Sequence, residues 1–125
     1  MTVGGRLVPM WVDDSIDGDI DRARRVAAAR GRYARNATIQ GAAAEFFKVW
    51  AILVRSRGRS ISARIVLCLH DELLVHAPLA DAHDVAAVVD DALQETATRW
   101  QQPELRGDVH FVADTSVIAR WSDAK

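Results

Sequence analysis

The sequence predicts an α+β fold, in which an antiparallel sheet centred on one β-hairpin carries helices packed on one face. Three observations predict it. "ATIQGAAAEFFKVWAILVRSRG" repeats its apolar residues at helical steps, "ARIVLCL" and "LLVHA" are strand-length apolar runs, and "DAHDVAAVVDDALQETATRW" is an amphipathic helix. Only His70, Asp71 and Glu72 separate the two apolar runs. So short a spacer makes an antiparallel hairpin the natural connection, since a parallel crossover needs about a dozen residues or more.

Taken in order, residues 1–21 read as an irregular, acidic lead-in. "GGRLVP" fits a short strand with a Gly turn before it and Pro9 as its stop; "DDSIDGDID" is a turn-rich connector whose Asp19 is a candidate cap. From about Ile20, "DRARRVAAARGRYARN" has helical character, with Gly31 as its weak point. A second helix follows, its apolar face formed by Ile39, Ala43, Phe46, Phe47, Trp50 and Leu53. Arg55 and Arg57 lie in its last turn, where cations complement the helix dipole, and Gly58 is its expected stop. After the hairpin, Pro78 ends the second strand. Asp81 is a candidate N-cap for a helix that turns Val85, Val88, Val89, Ala92 and Leu93 inward. "DVHFVADTSVIARW" closes the chain as one broken strand or two short ones. The expected order is helix, helix, strand, strand, helix, strand, in a single domain over 1–125.

A length of 125 residues suits one such domain. Half of the residues are hydrophobic and 26% charged, which excludes intrinsic disorder. The single cysteine, Cys68, excludes an internal disulfide and fits a reducing compartment. No uninterrupted apolar stretch of transmembrane length occurs and "MTVGGRLVPMW" lacks the pattern of a signal peptide, so the expected location is the cytoplasm, with no membrane partner. The net charge of −1 hides a partition. Between Arg22 and Arg64 eleven basic side chains face one acid, Glu45, for a net +10, and the remainder of the chain is −11. Such asymmetry points to nucleic acid or another polyanion, or to two faces that attract each other within the fold.

Two constellations carry chemistry. The first is the charged corner of "LCLHDELLVHAP". Acids at the tip of a hairpin suit a hard cation such as Mg²⁺, which takes carboxylate, water and phosphate oxygens. Asp71 and Glu72 in a regular strand would point to opposite faces, leaving one toward the site. An adjacent acid pair is most often plain solvated surface. Zinc finds no support, because Cys68, His70, His76 and His83 match no known ligand spacing. Cys68 is expected to be buried and inert, no nucleophile is positioned, and no Gly-rich phosphate loop occurs. The second constellation is Arg32, Asn36 and Gln40, hydrogen-bond donors four residues apart, followed by the small-residue run Gly41–Ala44 against which another backbone can pack closely. An exposed polar stripe is the plain structural reading of that spacing.

Together these stretches resemble the C-terminal palm of family A DNA polymerases, the bacterial polymerase I type. There, "R-x-x-x-N-x-x-x-Q-G-x-A-A" leads into a long palm helix, and a hairpin bearing "H-D-E" at its turn follows. Here the first is "RYARNATIQGAAA", Arg32 to Ala44, and the second "LHDELLVHAP", Leu69 to Pro78. "TVGGR…P" is similar to the family's "T-x-x-G-R" stretch. The resemblance implies a partial polymerase palm in which Asp71 is a ligand of the catalytic metal pair and Glu72 supports it. It also implies that His70 lies near the primer terminus and that Arg32, Asn36 and Gln40 contact primer and template in the minor groove. Minor-groove acceptors are common to every base pair, so such donors test pair shape without reading sequence. Implied partners are primer–template DNA, a deoxynucleoside triphosphate in an intact polymerase, and the remaining polymerase parts. The implied cofactor is Mg²⁺, two ions that activate the primer 3′-hydroxyl and steady the pyrophosphate leaving group.

The chain departs from the family in carrying neither a "D-x-S-x-x-E"-like strand with the first metal aspartate nor an "R-x-x-x-K-x-x-x-F/Y-x-x-x-Y-G" fingers helix. The expectation is therefore a polymerase piece that does not polymerise alone. The alternative is a stand-alone, non-catalytic nucleic-acid-binding module or a remnant domain.

Overall fold

Residues 20–58 are rich in Ala and Arg and contain no proline, and they form one α-helix, α1 (Ile20–Gly58). This computed structural model describes residues 1–2, 5–9, 20–101 and 110–124. The two helices expected, one ending at Asn36 with Gly31 as its weak point and one beginning at Ala37, are therefore a single one. Glycine in a helix interior costs about 1 kcal/mol against Ala but leaves the hydrogen-bond ladder intact, so it weakens a helix without ending it. Asp19 and most of the acidic connector lie outside the described residues. The chain divides into two compact units, Met1–Glu45 and Phe46–Lys125, and α1 contributes to both.

In the first unit the described residues Gly5–Pro9 form no strand. The backbone hydrogen bonds there close a turn instead. Gly5 N donates to Thr2 O at 3.0 Å and Thr2 N to Arg6 O at 2.9 Å. Gly5 has φ +86, a conformation open to glycine at no steric cost.

The second unit holds the core. Phe46, Trp50 and Val54 of α1 pack with Val89, Ala92, Leu93 and Ala97 of a second helix, α2 (Ala82–Trp100). The indole Nε1 of Trp50 donates to Val89 O at 3.0 Å, which satisfies the one polar atom of that buried ring. Phe46 stacks on Phe111 with ring centroids 4.2 Å apart and meets the edge of Trp100 at 6.2 Å. Of the apolar face expected on α1, Phe46, Phe47, Trp50 and Leu53 join this core, whereas Ile39 and Ala43 are exposed in the first unit. On α2, Val85, Val89, Ala92 and Leu93 are buried and Val88 half-buried, and the stripe runs on through Thr96 and Ala97. The Thr96 hydroxyl donates to Ala92 O at 2.7 Å. Asp81 does precede α2, but its side chain makes no capping bond.

Gly58 ends α1 with φ −63, in the right-handed region. A 3₁₀ turn, Arg59–Ile61, follows, and the left-handed residue is Ser62, φ 55. What Gly58 supplies is close approach: a Cβ there would stand 3.1 Å from the Ala63 Cβ, and Ala63 N donates to Gly58 O at 2.9 Å.

Strands β1 (Arg64–Leu69) and β2 (Glu72–His76) form the expected antiparallel hairpin. The register pairs Leu69 with Glu72, Cys68 with Leu73 and Leu67 with Leu74, then shifts by one residue at Val66 to pair Ile65 with Val75. Ile65, Leu73 and Val75 pack against the helical core, so one face of the sheet is covered. Cys68 is exposed, which corrects the expectation of a buried thiol. The register shift alters which residues share a face, and no alternation rule anticipates it.

The expected closing strand is absent among the described residues. His110–Ala119 runs without a ladder partner, and a short 3₁₀ turn, Trp121–Asp123, follows it. The segment is fixed through side chains, by the Phe111 ring stack and by the Thr115 hydroxyl donating to Asp90 Oδ1 at 2.6 Å. One sequence expectation about membranes also changes. By length and composition α1 contains a window apolar enough to cross a membrane. That helix carries Phe46, Trp50 and Val54 into the core of the second unit.

Candidate nucleic-acid interface

The hairpin closes through a two-residue loop, His70–Asp71. Glu72, expected in the corner, instead begins β2 opposite Leu69. Two-residue hairpin loops match the strand twist only with positive φ at the first central residue or at both, and His70, the first, takes it, at φ +50. Histidine is among the few non-glycine residues enriched in that region. Asp71 is thus a loop residue, and the alternation of a regular strand does not govern where it points. His70, Asp71 and Glu72 are all exposed. Among the described residues neither carboxylate has a hydrogen-bond or ion-pair partner.

Two hard-oxygen donors side by side suit a divalent cation in kind. They do not suffice in number: the described residues hold no group of three His, Cys, Asp or Glu placed to share an ion. Cys68, His76 and His83 are exposed and join no such group among the described residues.

In the first unit Arg32, Asn36 and Gln40 stand on unbroken helix, exposed, each separated from the next by about 6 Å of axial rise. Asn36 and Gln40 line an open groove of about 750 Å³; Arg32 does not. Tyr33, Ala37, Gly41 and Ala44 complete the side formed by α1, and Arg6–Pro9 form the other side.

The first unit also contains a polar contact that the sequence reading did not single out. The Thr2 hydroxyl, in a residue only 4% exposed, donates to both oxygens of Glu45 at 2.8 and 2.9 Å. The same hydroxyl accepts from Arg6 N at 3.0 Å, and Arg6 Nε stands 3.5 Å from Glu45 Oε1. The close approach expected of the small-residue run occurs at Gly41, where an added Cβ would meet Thr2 Cγ2 at 2.6 Å. One signal marked Glu45 in advance: it is the lone acid in a segment of eleven cations.

A profile described as DNA polymerase family A matches residues 13–123. The chain belongs to DNA polymerase family A. It is similar to the thermostable DNA polymerase I of Thermus caldophilus, 39% identical over 74 residues, which cover 59% of this chain and 9% of that protein. It is 37% identical over 79 residues to DNA polymerase I of Deinococcus radiodurans, covering 63% of this chain and 8% of the relative. With DNA polymerase theta of Caenorhabditis elegans it shares 32% identity over 75 residues, 60% of this chain and 5% of the relative. The chain thus spans less than a tenth of the length of these family A relatives. No solved structure matches it.

Proposed function

We propose that these residues form the C-terminal part of a polymerase palm, a surface that binds primer–template DNA and contributes one carboxylate to a metal-dependent nucleotidyl transfer. The observation that carries the reading is Asp71, held at the tip of a two-residue turn, exposed, its carboxylate without a hydrogen-bond or ion-pair partner among the described residues. In this reading Asp71 is one ligand of a divalent-ion pair, Mg²⁺ in kind, whose other protein donors lie outside these residues. Glu72 stands beside it as support, and His70 faces the primer terminus. Arg32, Asn36 and Gln40 donate into the minor groove, and the cationic residues of α1 attract the phosphates. The incoming partner is a deoxynucleoside triphosphate.

The family's first metal aspartate motif and its fingers helix do not occur in the sequence, so in this reading the 125-residue chain does not extend a primer by itself. A primer-extension assay on the purified chain tests this directly, and templated incorporation would refute it. In a polymerase that contains the whole site, Asp71→Ala reduces incorporation by orders of magnitude while DNA affinity is largely kept. An unchanged incorporation rate would remove Asp71 from the metal site.

The lack of a three-ligand group among the described residues favours a second reading, a nucleic-acid-binding module without chemistry. It predicts salt-sensitive duplex binding that does not require Mg²⁺. A titration of primer–template at low salt, with and without the ion, separates the two.

A further inference from the structure

We infer that Thr2, Gly41 and Glu45 are positioning residues: they latch the Arg6–Pro9 segment onto α1 and so build the second side of the groove that Asn36 and Gln40 line. The inference rests on the nucleic-acid reading above and adds to it a set of residues that touch no base or phosphate themselves. Thr2 is one of two buried polar residues among those described, and its hydroxyl is fully used, donating to Glu45 and accepting from Arg6 N. Glu45 adds an ion pair with Arg6, the first residue of the groove's far side. Steric fit supplies the rest. The Thr2 methyl occupies the space that any side chain on residue 41 would fill, at 2.6 Å from an added Cβ. A carboxylate accepting from a buried hydroxyl is a charge-assisted bond, and it is aimed at one point on one turn of helix. The latch therefore fixes where the segment lies along α1, and with it the width between Arg6 and Gln40.

This predicts a suppressor pair. Gly41→Ala favours the helix itself, since Ala is the better helix former, yet it drives the Thr2 methyl away. Thr2→Ser removes that methyl and keeps the hydroxyl. The next Thr2 atom then lies 3.8 Å from the new Cβ, ordinary contact, and only the mobile end of Arg6, at 3.0 Å, must shift. Wild type, Gly41→Ala, Thr2→Ser and the double variant of the full chain are compared in two assays. The first is the rate at which trypsin releases the Met1–Arg6 peptide, read by mass spectrometry. The second is affinity for a short primer–template duplex at low salt.

Gly41→Ala is expected to raise the release rate and lower the affinity, each by roughly tenfold, the scale of one lost charge-assisted hydrogen bond. The double variant is expected to restore both. An unchanged release rate in Gly41→Ala overturns the latch. A raised release rate with unchanged affinity overturns its role in positioning. Wild type that binds no duplex overturns the nucleic-acid reading and the affinity arm with it, while the latch itself is still decided by the trypsin arm.

Discussion

His70 offers a test in which stability and function move in opposite directions. Its φ of +50 places an L-residue in the left-handed region, which costs about 1–2 kcal/mol for a residue with a Cβ. His70→Gly removes that cost but adds unfolded-state freedom worth about 0.5–1 kcal/mol, so the net gain is about 0.5 kcal/mol. For a domain of this size that raises the melting temperature by about 2 °C. His70→Val is the opposite case, since a β-branched residue is poorly tolerated at positive φ, and it loses about 1–2 kcal/mol. The order of thermal stability is then Gly above His above Val, with the extremes separated by roughly 6–10 °C. If the imidazole also contacts the primer terminus, His70→Gly binds primer–template more weakly although it melts higher. Glycine melting below wild type, or valine matching it, would refute the left-handed turn. Glycine with undiminished affinity would refute the contact.

Three further outcomes follow from the packing. Trp50→Phe removes the indole donor to Val89 O along with part of a buried ring, and should cost about 1–3 kcal/mol in denaturant unfolding, with the slope unchanged. Glu95 lies between Arg57 and Arg99 and is partly buried, so Glu95→Gln should cost about 0.5–1 kcal/mol, a difference that shrinks in about 1 M salt. A loss that persists undiminished at high salt would show that the contact is packing rather than charge. Asp71→Asn should change the stability of this chain by no more than about 0.5 kcal/mol, because the carboxylate is exposed and has no partner among the described residues; a larger loss would mean that the turn depends on it.

The hairpin, α2 and the apolar face around Phe46 and Trp50 were legible in the sequence because each follows from a period, of two residues or of 3.6. What was not legible depends on partners distant in sequence. The two expected helices read as separate elements, but nothing at Asn36–Ala37 ends the ladder, and neighbouring Ala and Arg residues sustain the helix through the weak point at Gly31 as well. Gly58 reads as the helix stop and α1 does end there, but the left-handed residue is Ser62, and what Gly58 supplies is space against Ala63. Cys68 reads as a core residue of a strand, and it is exposed in a ladder whose register shifts at Val66. The closing strand was read from "HFVADTSVI", a β-prone run, yet such a run needs an edge to pair with, and here side chains anchor it instead. At the candidate site, Asp71 and the Arg32–Asn36–Gln40 stripe were visible by motif and spacing. Thr2 stands in the "TVGGR" motif, but its bond to a glutamate 43 residues away was not legible, because such a contact carries no local pattern.

The hairpin itself argues for a function beyond folding. A two-stranded ribbon is marginal alone, and this one is held to the helices through Ile65, Leu73 and Val75 on one face. None of those contacts requires the charges at the tip. A fold selected only to persist would place Gly or Asn-Gly at a two-residue turn and keep adjacent acids apart. Here the turn instead carries a left-handed histidine and an aspartate, with Glu72 opening the strand beside it, and neither carboxylate bonds to anything among the described residues. The left-handed histidine is a local cost that the packing of the hairpin does not require. Local conflict of this kind, in an element otherwise consistent with its sequence, is where a functional group is to be sought.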